Sequence, residues 1–379
     1  MTSTVSDTTS RTDRVALARL LGESLRSEVP ERDRTGEISS AAFDRLRADG
    51  LSAALVPVEF GGGGATHQEM GEILRELGRH DPSTAVAFAM HSHLVAAQVW
   101  RHKHGIDASG VFAKVAAGAI LVSTGASDWV DSNGTAVRVD GGYRVSARKA
   151  PASGCEVGDV LVTSVRYAGD DGEGPQVLHC AVPMTAAGVS IDKTWDSLGL
   201  RASGSHTVVL EDVFVPDAAI SLVRPAGVWP PLLNVVMGAA LPLVLAAYLG
   251  VADAAIDLTA TLLAGRSDAH TLQSAGEMLN AYTTASDLIT AMFTDSADLT
   301  FPNTDAYASR ILSRKTVASD ALITTVRLAI ETTGGAGYSR ACDLERLYRD
   351  IHGCQFHPLP RAKQTRFSGR VLLGHTPIG

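Results

Sequence analysis

Cysteine is scarce in this sequence, and its placement excludes a disulfide-stabilised scaffold. The four cysteines are scattered over 379 residues without a CxxC pair (Cys155, Cys180, Cys342 and Cys354). In a chain without a secretion signal, such residues are most simply buried, reduced thiols. A catalytic thiol at Cys354 is the less favoured alternative.

Basic runs, a signal-like leader and an uninterrupted membrane-length apolar segment are also lacking. The formal charge is −8 with no opposing basic run, which argues against a nucleic-acid-binding surface. The first dozen residues are polar, so we expect a frayed tail and not a signal peptide, and a cytoplasmic protein. The most apolar segment, 235–251, contains Pro242 and is predicted to be a buried helix.

A metal site is not favoured either. Four of the twelve histidines fall in one stretch (His91, His93, His102 and His104). Zinc binding requires convergent ligands and groups that orient them, and no obvious carboxylate partner accompanies these histidines. We therefore predict no metal.

The chain does have helical periodicity at both ends and strand-like alternation in the middle. Apolar residues recur three or four apart over much of 12–117, and Asp81 with Pro82 marks the start of a buried helix. Alternation around the turn Asp140–Gly142 predicts a hairpin, and three further short strands follow. A break at 301–303 interrupts the second helical region. The sequence predicts an α+β protein with a helical domain at 1–117, a β domain at 118–220 and a helical domain at 221–379.

The most informative stretch runs from Glu331 to Pro360. It opens with a glycine-rich turn formed by Gly334, Gly335 and Gly337. Glycines let backbone amides approach a phosphate or a flavin edge without Cβ interference, although most such turns only end helices. The charged segment ERLYRD follows at 345–350.

In this order, the GGAGY turn and the ERLYRD segment resemble the C-terminal signature of the acyl-CoA dehydrogenase superfamily of flavoenzymes. The resemblance implies an N-terminal helical domain, a middle β-barrel or sandwich domain and a C-terminal four-helix bundle. It also implies that Gly334, Gly335 and Gly337 lie near the phosphate end of a flavin.

A second block, residues 121–154, looks like a shortened form of the segment that covers the flavin in this family. The resemblance implies that Ser123 and Thr124 contact the edge of the flavin ring, that Ser127 belongs to the following turn, and that Ser153 lies against the ring face. An ordinary hairpin with a serine-rich turn is the alternative. The family's usual Thr-Glu-Pro is absent here.

A third block, residues 195–217, resembles the family's link between the β domain and the C-terminal helices. The resemblance places Arg201, Ser203 and Ser205 near cofactor and substrate. An arginine beside two hydroxyls could orient an anionic or thioester substrate. A purely structural loop at the domain junction is an equally weighted alternative.

Arg266 corresponds to the arginine of the family's Arg-x-x-Phe-Gly motif, which reaches the FAD diphosphate of a neighbouring subunit. The arginine is kept here but the Phe-Gly is not. This departure leaves FAD or FMN open as the cofactor, including a loosely held reduced flavin.

The carboxylate base of the family's dehydrogenases is absent at both of its usual positions. α,β-Dehydrogenation requires a carboxylate that removes the α-proton of a thioester. Counting from Arg349, the first position is Pro358, and the second, on the helix after the β domain, falls at about Ala240. Neither residue can remove a proton.

A histidine, His357, occupies the segment instead. This arrangement resembles the flavin-dependent monooxygenase branch of the superfamily, in which a histidine here acts on the oxygenated flavin or the substrate proton, a role that suits imidazole. On the buried helix, His91 or His93 is a candidate second donor, and we select His91. A structural histidine in a Phe-His-Pro loop is the alternative for His357.

The favoured hypothesis is a flavin-dependent monooxygenase that uses reduced flavin and O₂ on a small or carrier-bound metabolite. The reduced flavin could come from a separate flavin reductase. An acyl-CoA or acyl-ACP dehydrogenase with a non-standard base is the alternative, and a non-catalytic flavin- or acyl-binding relative is the third reading. The resemblance further implies a homodimer or homotetramer.

Overall fold

The computed structural model describes residues 11–124, 128–169 and 174–378. The chain begins with helices whose starts are fixed by local capping. The Thr66 hydroxyl accepts a hydrogen bond from the Glu69 amide at 3.1 Å, and Asp81 Oδ1 accepts one from the Thr84 amide at 3.1 Å. The helices of this region are α1 (Arg11–Leu25), α2 (Val29–Thr35), α3 (Ser40–Ala48), α4 (His67–His80), α5 (Pro82–Lys103) and α6 (Ser109–Ala116).

An eight-stranded mixed sheet follows within the described residues. Its strands are β1 (Leu121–Ser123), β2 (Thr135–Val139), β3 (Gly142–Ala152), β4 (Val160–Tyr167), β5 (Gln176–Pro183), β6 (Val189–Asp192), β7 (His206–Pro216) and β8 (Ile220–Pro225). The strand order is β6-β7-β3-β2-β4-β5-β8, and β1 pairs with β4 in parallel. Inward-facing residues of β3, β4, β5 and β7 share one apolar cluster, so the sheet encloses its own core.

Three long α-helices and three shorter ones complete the described part of the chain. They are α7 (Leu232–Leu262), α8 (Ala269–Ser296), α9 (Asp305–Thr333), α10 (Gly335–Tyr338), α11 (Leu344–Ile351) and α12 (Arg361–Leu372). One of them, α7, is long and apolar enough to cross a membrane, but 94% of its most apolar window is buried inside the fold. It is therefore the central core helix of this protein.

Two glycines allow α4 and α7 to pack backbone against backbone. A Cβ at Gly78 would lie 2.1 Å from the carbonyl oxygen of Ala247, and a Cβ at Gly250 would lie 2.0 Å from that of Arg75. Any side chain at either position would separate the helices. This contact fixes α7, which forms one wall of the cavity described below.

The predicted fold class is confirmed: helices, then a sheet, then helices. The predicted hairpin is β2–β3, in which Val139 pairs with Gly142, and the predicted start of the buried helix is that of α5. Strand β8 lies beyond residue 220, where the sequence predicts the end of the β domain. The glycine-rich turn continues into the short helix α10 instead of remaining an open loop.

Candidate active site

A cavity of about 1050 Å³ lies between α5, α7 and the sheet. The loop 195–205 and the segment 352–358, which follows α11, close two further sides. Apolar side chains of the two helices form most of the helical wall (Val86, Met90, Leu94, Ala97, Val236, Met237, Leu241 and Val244). Polar groups are confined to a few places, which is typical of a site that orients a ligand.

His357 and Tyr248 form a hydrogen-bonded pair on the cavity wall. The Tyr248 hydroxyl lies 2.8 Å from Nε2 of His357. Burial, and after it the charge of Lys315, lowers the pKa of His357 to about 3, while burial raises the pKa of Tyr248 well above its usual value. Both groups are therefore neutral at ordinary pH. Nδ1 of His357 makes no hydrogen bond to any described residue.

A buried lysine holds the segment that carries His357. Nζ of Lys315, on α9, donates to the carbonyl oxygens of Gln355 at 3.0 Å and Leu359 at 3.3 Å. These two carbonyls flank the histidine, so one side chain fixes both ends of its turn. Burial lowers the pKa of Lys315 to about 8.

The two histidines of α5 differ, and the choice of His91 is corrected. His91 is saturated by the backbone: its Nε2 lies 2.8 Å from the Ser52 carbonyl oxygen, and its Nδ1 accepts from the Leu121 amide at 3.0 Å. It does not line the cavity. His93 does, with Nε2 3.3 Å from the Ser123 hydroxyl. Residues two apart on a helix point to different sides.

A row of hydroxyls lies on the sheet side of the cavity. The Ser205 hydroxyl donates to that of Ser153 at 2.8 Å, and the Ser203 and Ser205 hydroxyls are 2.7 Å apart. Thr124 and Ser123 line the same cavity. The structure thus brings together five of the predicted cofactor and substrate residues. The predicted contact at Ser127 lies outside the described residues.

Arg201 is not part of the cavity, and the substrate role predicted for it is corrected. Its Nε donates to the Asp33 carbonyl oxygen at 2.8 Å, and its Nη1 donates to that of Ser197 at 3.0 Å. The guanidinium therefore joins the loop 195–205 to the end of α2. This is the structural alternative that the sequence left open.

Arg266 and the three glycines of the turn also lie away from the cavity of their own chain. Arg266 bonds to Asp268, the N-cap residue of α8. A Cβ at Gly334 or Gly335 would meet no atom within 4 Å, whereas one at Gly337 would lie 2.1 Å from the Thr333 hydroxyl oxygen. None of the four residues lines the cavity, and the flavin contacts predicted for them stay a prediction.

Both positions at which the family's dehydrogenases carry their base line the cavity, as Pro358 and Ala240. Among the described lining residues, the carboxylates are Asp107 and Asp128. Asp128 pairs with the buried Lys149 at 2.7 Å. Asp107 is exposed, and its Oδ1 accepts from the Ser109 amide at 3.0 Å. The cavity therefore has neutral imidazoles where a dehydrogenase would have a free carboxylate.

Three lining aromatic residues did not emerge from the sequence as site residues. Tyr248 sits inside an unbroken apolar helix, where a tyrosine usually packs as core. Trp129 and Trp195 follow loop segments whose course the pattern does not give. A buried tyrosine needs a partner for its hydroxyl, and that rule was the available signal for Tyr248.

Comparisons with known proteins agree with this architecture. A family model described as the N-terminal domain of acyl-CoA dehydrogenase matches residues 10–105, and one described as the C-terminal domain matches 243–361. Isobutylamine N-hydroxylase from Streptomyces viridifaciens is 28% identical over 356 residues, which cover 89% of this chain and 90% of that protein. Dibenzothiophene monooxygenase from Rhodococcus qingshengii is 24% identical, with 97% and 94% covered.

Among the similar solved structures that contain ligands is KijD3 in complex with FMN and dTDP-3-amino-2,3,6-trideoxy-4-keto-3-methyl-D-glucose. Its TM-score is 0.85 and its sequence identity is 27%. The alignment covers 97% of this chain and 95% of that one. The shared fold thus extends over all three parts of the molecule.

Proposed function

Because the chain belongs to the acyl-CoA dehydrogenase superfamily, we propose that it is a flavin-dependent monooxygenase. In this proposal it uses reduced flavin and O₂ on a small or carrier-bound metabolite. The observation that carries the proposal is the chemistry of the cavity wall. Pro358 and Ala240 replace the two carboxylate positions, and a neutral His357 stands beside them.

The residues of the cavity fit a flavin. The hydroxyls of Ser123, Thr124 and Ser153 supply donors and acceptors for the polar edge of a ring system, and Trp129 and Trp195 supply apolar faces. When bound in reduced form, flavin supplies the electrons that activate O₂. The complex of KijD3 with FMN supports FMN as the flavin, and FAD is the alternative.

His357 is proposed to act as a hydrogen-bond donor to the reacting oxygen atoms. Tyr248 occupies Nε2, so the tautomer in which Tyr248 donates leaves a proton on Nδ1. That proton can be donated without adding a charge to the site. His93, on the opposite helix, is the second candidate donor, because its ring also lines the cavity.

We further propose that the active form is a homodimer or homotetramer. Arg266, Gly334 and Gly335, which the resemblance places at the flavin phosphate, are exposed on the surface of their own chain. Large apolar side chains are exposed on the same C-terminal part (Leu272, Tyr338, Leu372 and Leu373). Such exposure is typical of an interface.

The test compares two reactions of the flavin-loaded protein. Under anaerobic conditions, short, medium and long acyl-CoA thioesters should leave the oxidised flavin yellow. With NADH and a separate flavin reductase in air, the protein should couple O₂ consumption to oxygenation of amine and sulfur-heterocycle probes. Rapid bleaching by an acyl thioester would instead establish the dehydrogenase alternative.

A further inference from the structure

One stripe of α5 lines the whole length of the cavity and changes character along it. Val86, Met90, His93, Ala97 and Arg101 all face the cavity, at the three- and four-residue spacing of one helix face. The stripe is apolar at its start, carries an imidazole in the middle and ends in a guanidinium. Eight residues separate His93 from Arg101, which corresponds to about 12 Å along a helix.

The guanidinium of Arg101 lacks an internal partner. Within the described residues it makes neither a hydrogen bond nor an ion pair, and its Nε is buried without an acceptor. This contrasts with Arg75, on α4, whose guanidinium donates two hydrogen bonds to Asp253. A buried donor without an acceptor is costly, so the position is one that a ligand would stabilise.

A second cation faces the same end of the cavity. Lys114, on α6, lines it and is exposed, and the Gln98 amide lies one turn before Arg101 on α5. Within the described ranges, Lys114 forms no ion pair. The end of the cavity next to α6 therefore presents two positive charges that no ion pair with a described residue neutralises.

The acidic groups that line the cavity do not cancel them. The pKa of Asp107 is lowered first by the amide and hydroxyl of Ser109, and more weakly by Arg101, which lies beyond ion-pair distance. Asp128 is consumed by Lys149 at 2.7 Å. The local balance near Arg101 is positive, with Arg101 and Lys114 opposed by Asp107 alone.

We propose that Arg101 and Lys114 form an anion-binding subsite for one end of the substrate. The substrate class is an apolar molecule with a terminal carboxylate or phosphate about 12 Å from the atom that reacts near His93 and His357. The apolar walls of α5 and α7 would hold its body. The identification of this anion as part of a substrate depends on the proposed monooxygenase function, but binding of the anion does not.

Binding of simple probes tests the subsite without turnover. Isothermal titration of the flavin-loaded protein would compare octanoate, octyl phosphate, octanol and octylamine, which share one apolar tail. We expect the two anions to bind about tenfold or more tightly than octanol, the range for one hydrogen bond to a charged group, and octylamine to bind most weakly. A stronger response to one anion identifies it as the natural head group.

Variants separate the subsite from general charge. Arg101→Gln should remove most of the preference for anions and leave octanol binding unchanged, while Arg101→Lys should keep part of it. Arg45→Gln is the matched control, because Arg45 lies on α3, carries the same charge and does not line the cavity. Melting temperatures confirm that each variant is folded.

Three results would overturn the proposal. These are a wild-type protein that binds octylamine or octanol as tightly as the anions, one that binds no probe, and an Arg101→Gln variant that keeps the full preference. Because no oxygen chemistry is measured, a failure here leaves the monooxygenase proposal standing. Conversely, if the monooxygenase proposal fails, a measured preference for anions still supports the subsite.

Discussion

The two ends of the cavity use polar groups in opposite ways. At the inner end, defined by His93, Tyr248 and His357, burial keeps every group neutral, with the pKa of His93 lowered to about 4. At the solvent end, defined by Arg101 and Lys114, the groups are charged and lack internal partners. In our proposals, the neutral groups donate hydrogen bonds where water is excluded, and the charged groups attract a ligand where it is not.

The difference follows from the solvation of each end. Removing a charge from water is costly unless it is paired. Two further charges near the cavity have partners: Lys149 pairs with Asp128, and Lys315 donates to backbone carbonyls. Neutral donors remain at the surface of the cavity. We expect substitutions at the inner end to change chemistry and those at the solvent end to change binding.

The largest effect is expected for His357→Ala. Loss of one positioned donor costs roughly 10²–10³ in rate, so product formation should fall while release of hydrogen peroxide rises. Flavin binding should remain nearly intact, as measured by absorbance after gel filtration. His102→Ala is the control, because His102 lies on α5 and does not line the cavity. If His357→Ala loses stability while its coupling is unchanged, His357 has only a structural role.

Acid stability is a further test of the neutral inner end. Burial lowers the pKa of His67, His91 and His93 to about 4, below the ordinary value of 6.5. The unfolded chain therefore binds more protons, and stability should fall as pH decreases from about 6.5 to 4. Each histidine contributes up to about 1.4 kcal/mol per pH unit.

One buried carboxylate acts in the opposite direction. Burial raises the pKa of Asp350 to about 6. Its protonated form therefore stabilises the fold at low pH, and this contribution is lost as the pH rises. Urea unfolding at several pH values should show that the free energy of unfolding decreases toward acid pH. His67→Asn, outside the cavity, should reduce the slope, and an unchanged slope would contradict the assigned protonation states.

A bulky residue at Gly335 tests whether the flavin site extends beyond one chain. Within the subunit, a Cβ at Gly335 meets nothing within 4 Å, so Gly335→Trp should fold normally. If a neighbour's flavin phosphate rests on this turn, loss of one charge-assisted hydrogen bond should weaken flavin binding about tenfold. Gly174→Trp is the control, because a Cβ there also meets nothing within 4 Å and its backbone is not left-handed. Full flavin occupancy would remove the turn from the site.

A smaller effect is expected for Tyr248→Phe. The variant keeps the ring and removes one hydrogen bond, which is worth about 1 kcal/mol, so coupling should fall several-fold. The pH profile of coupling should also change, because His357 loses the contact that selects its tautomer. A uniform loss of activity with an unchanged profile would indicate packing alone.

The sequence was sufficient to predict the order of the helical and β regions and some of the residues that line the cavity. Hairpin β2–β3 and the start of α5 follow from turn and capping residues, which act locally. The family motifs single out Ser123, Thr124 and His357, which all line the cavity. The sequence did not predict strand β8, because a Val-Pro ending and a nearby proline-rich stretch are typical of a chain that leaves a sheet.

The remaining site residues depend on contacts far apart in the chain. His91 and His93 have the same local context, and only the contacts of Ser52 and Leu121 decide which ring is saturated. Tyr248 is 109 residues from its partner. Arg201 was misassigned because its acceptor, on Asp33, lies 168 residues away.

The most direct measurement follows the oxygen reaction of the bound, reduced flavin. Protein loaded with reduced FMN is mixed with air in a stopped-flow instrument, and release of hydrogen peroxide is timed against free reduced FMN. We expect a clear delay of hydrogen peroxide release in the wild-type protein and the loss of this delay in His357→Ala. Immediate release by the wild-type protein, together with bleaching of its oxidised flavin by an acyl thioester, would contradict the account.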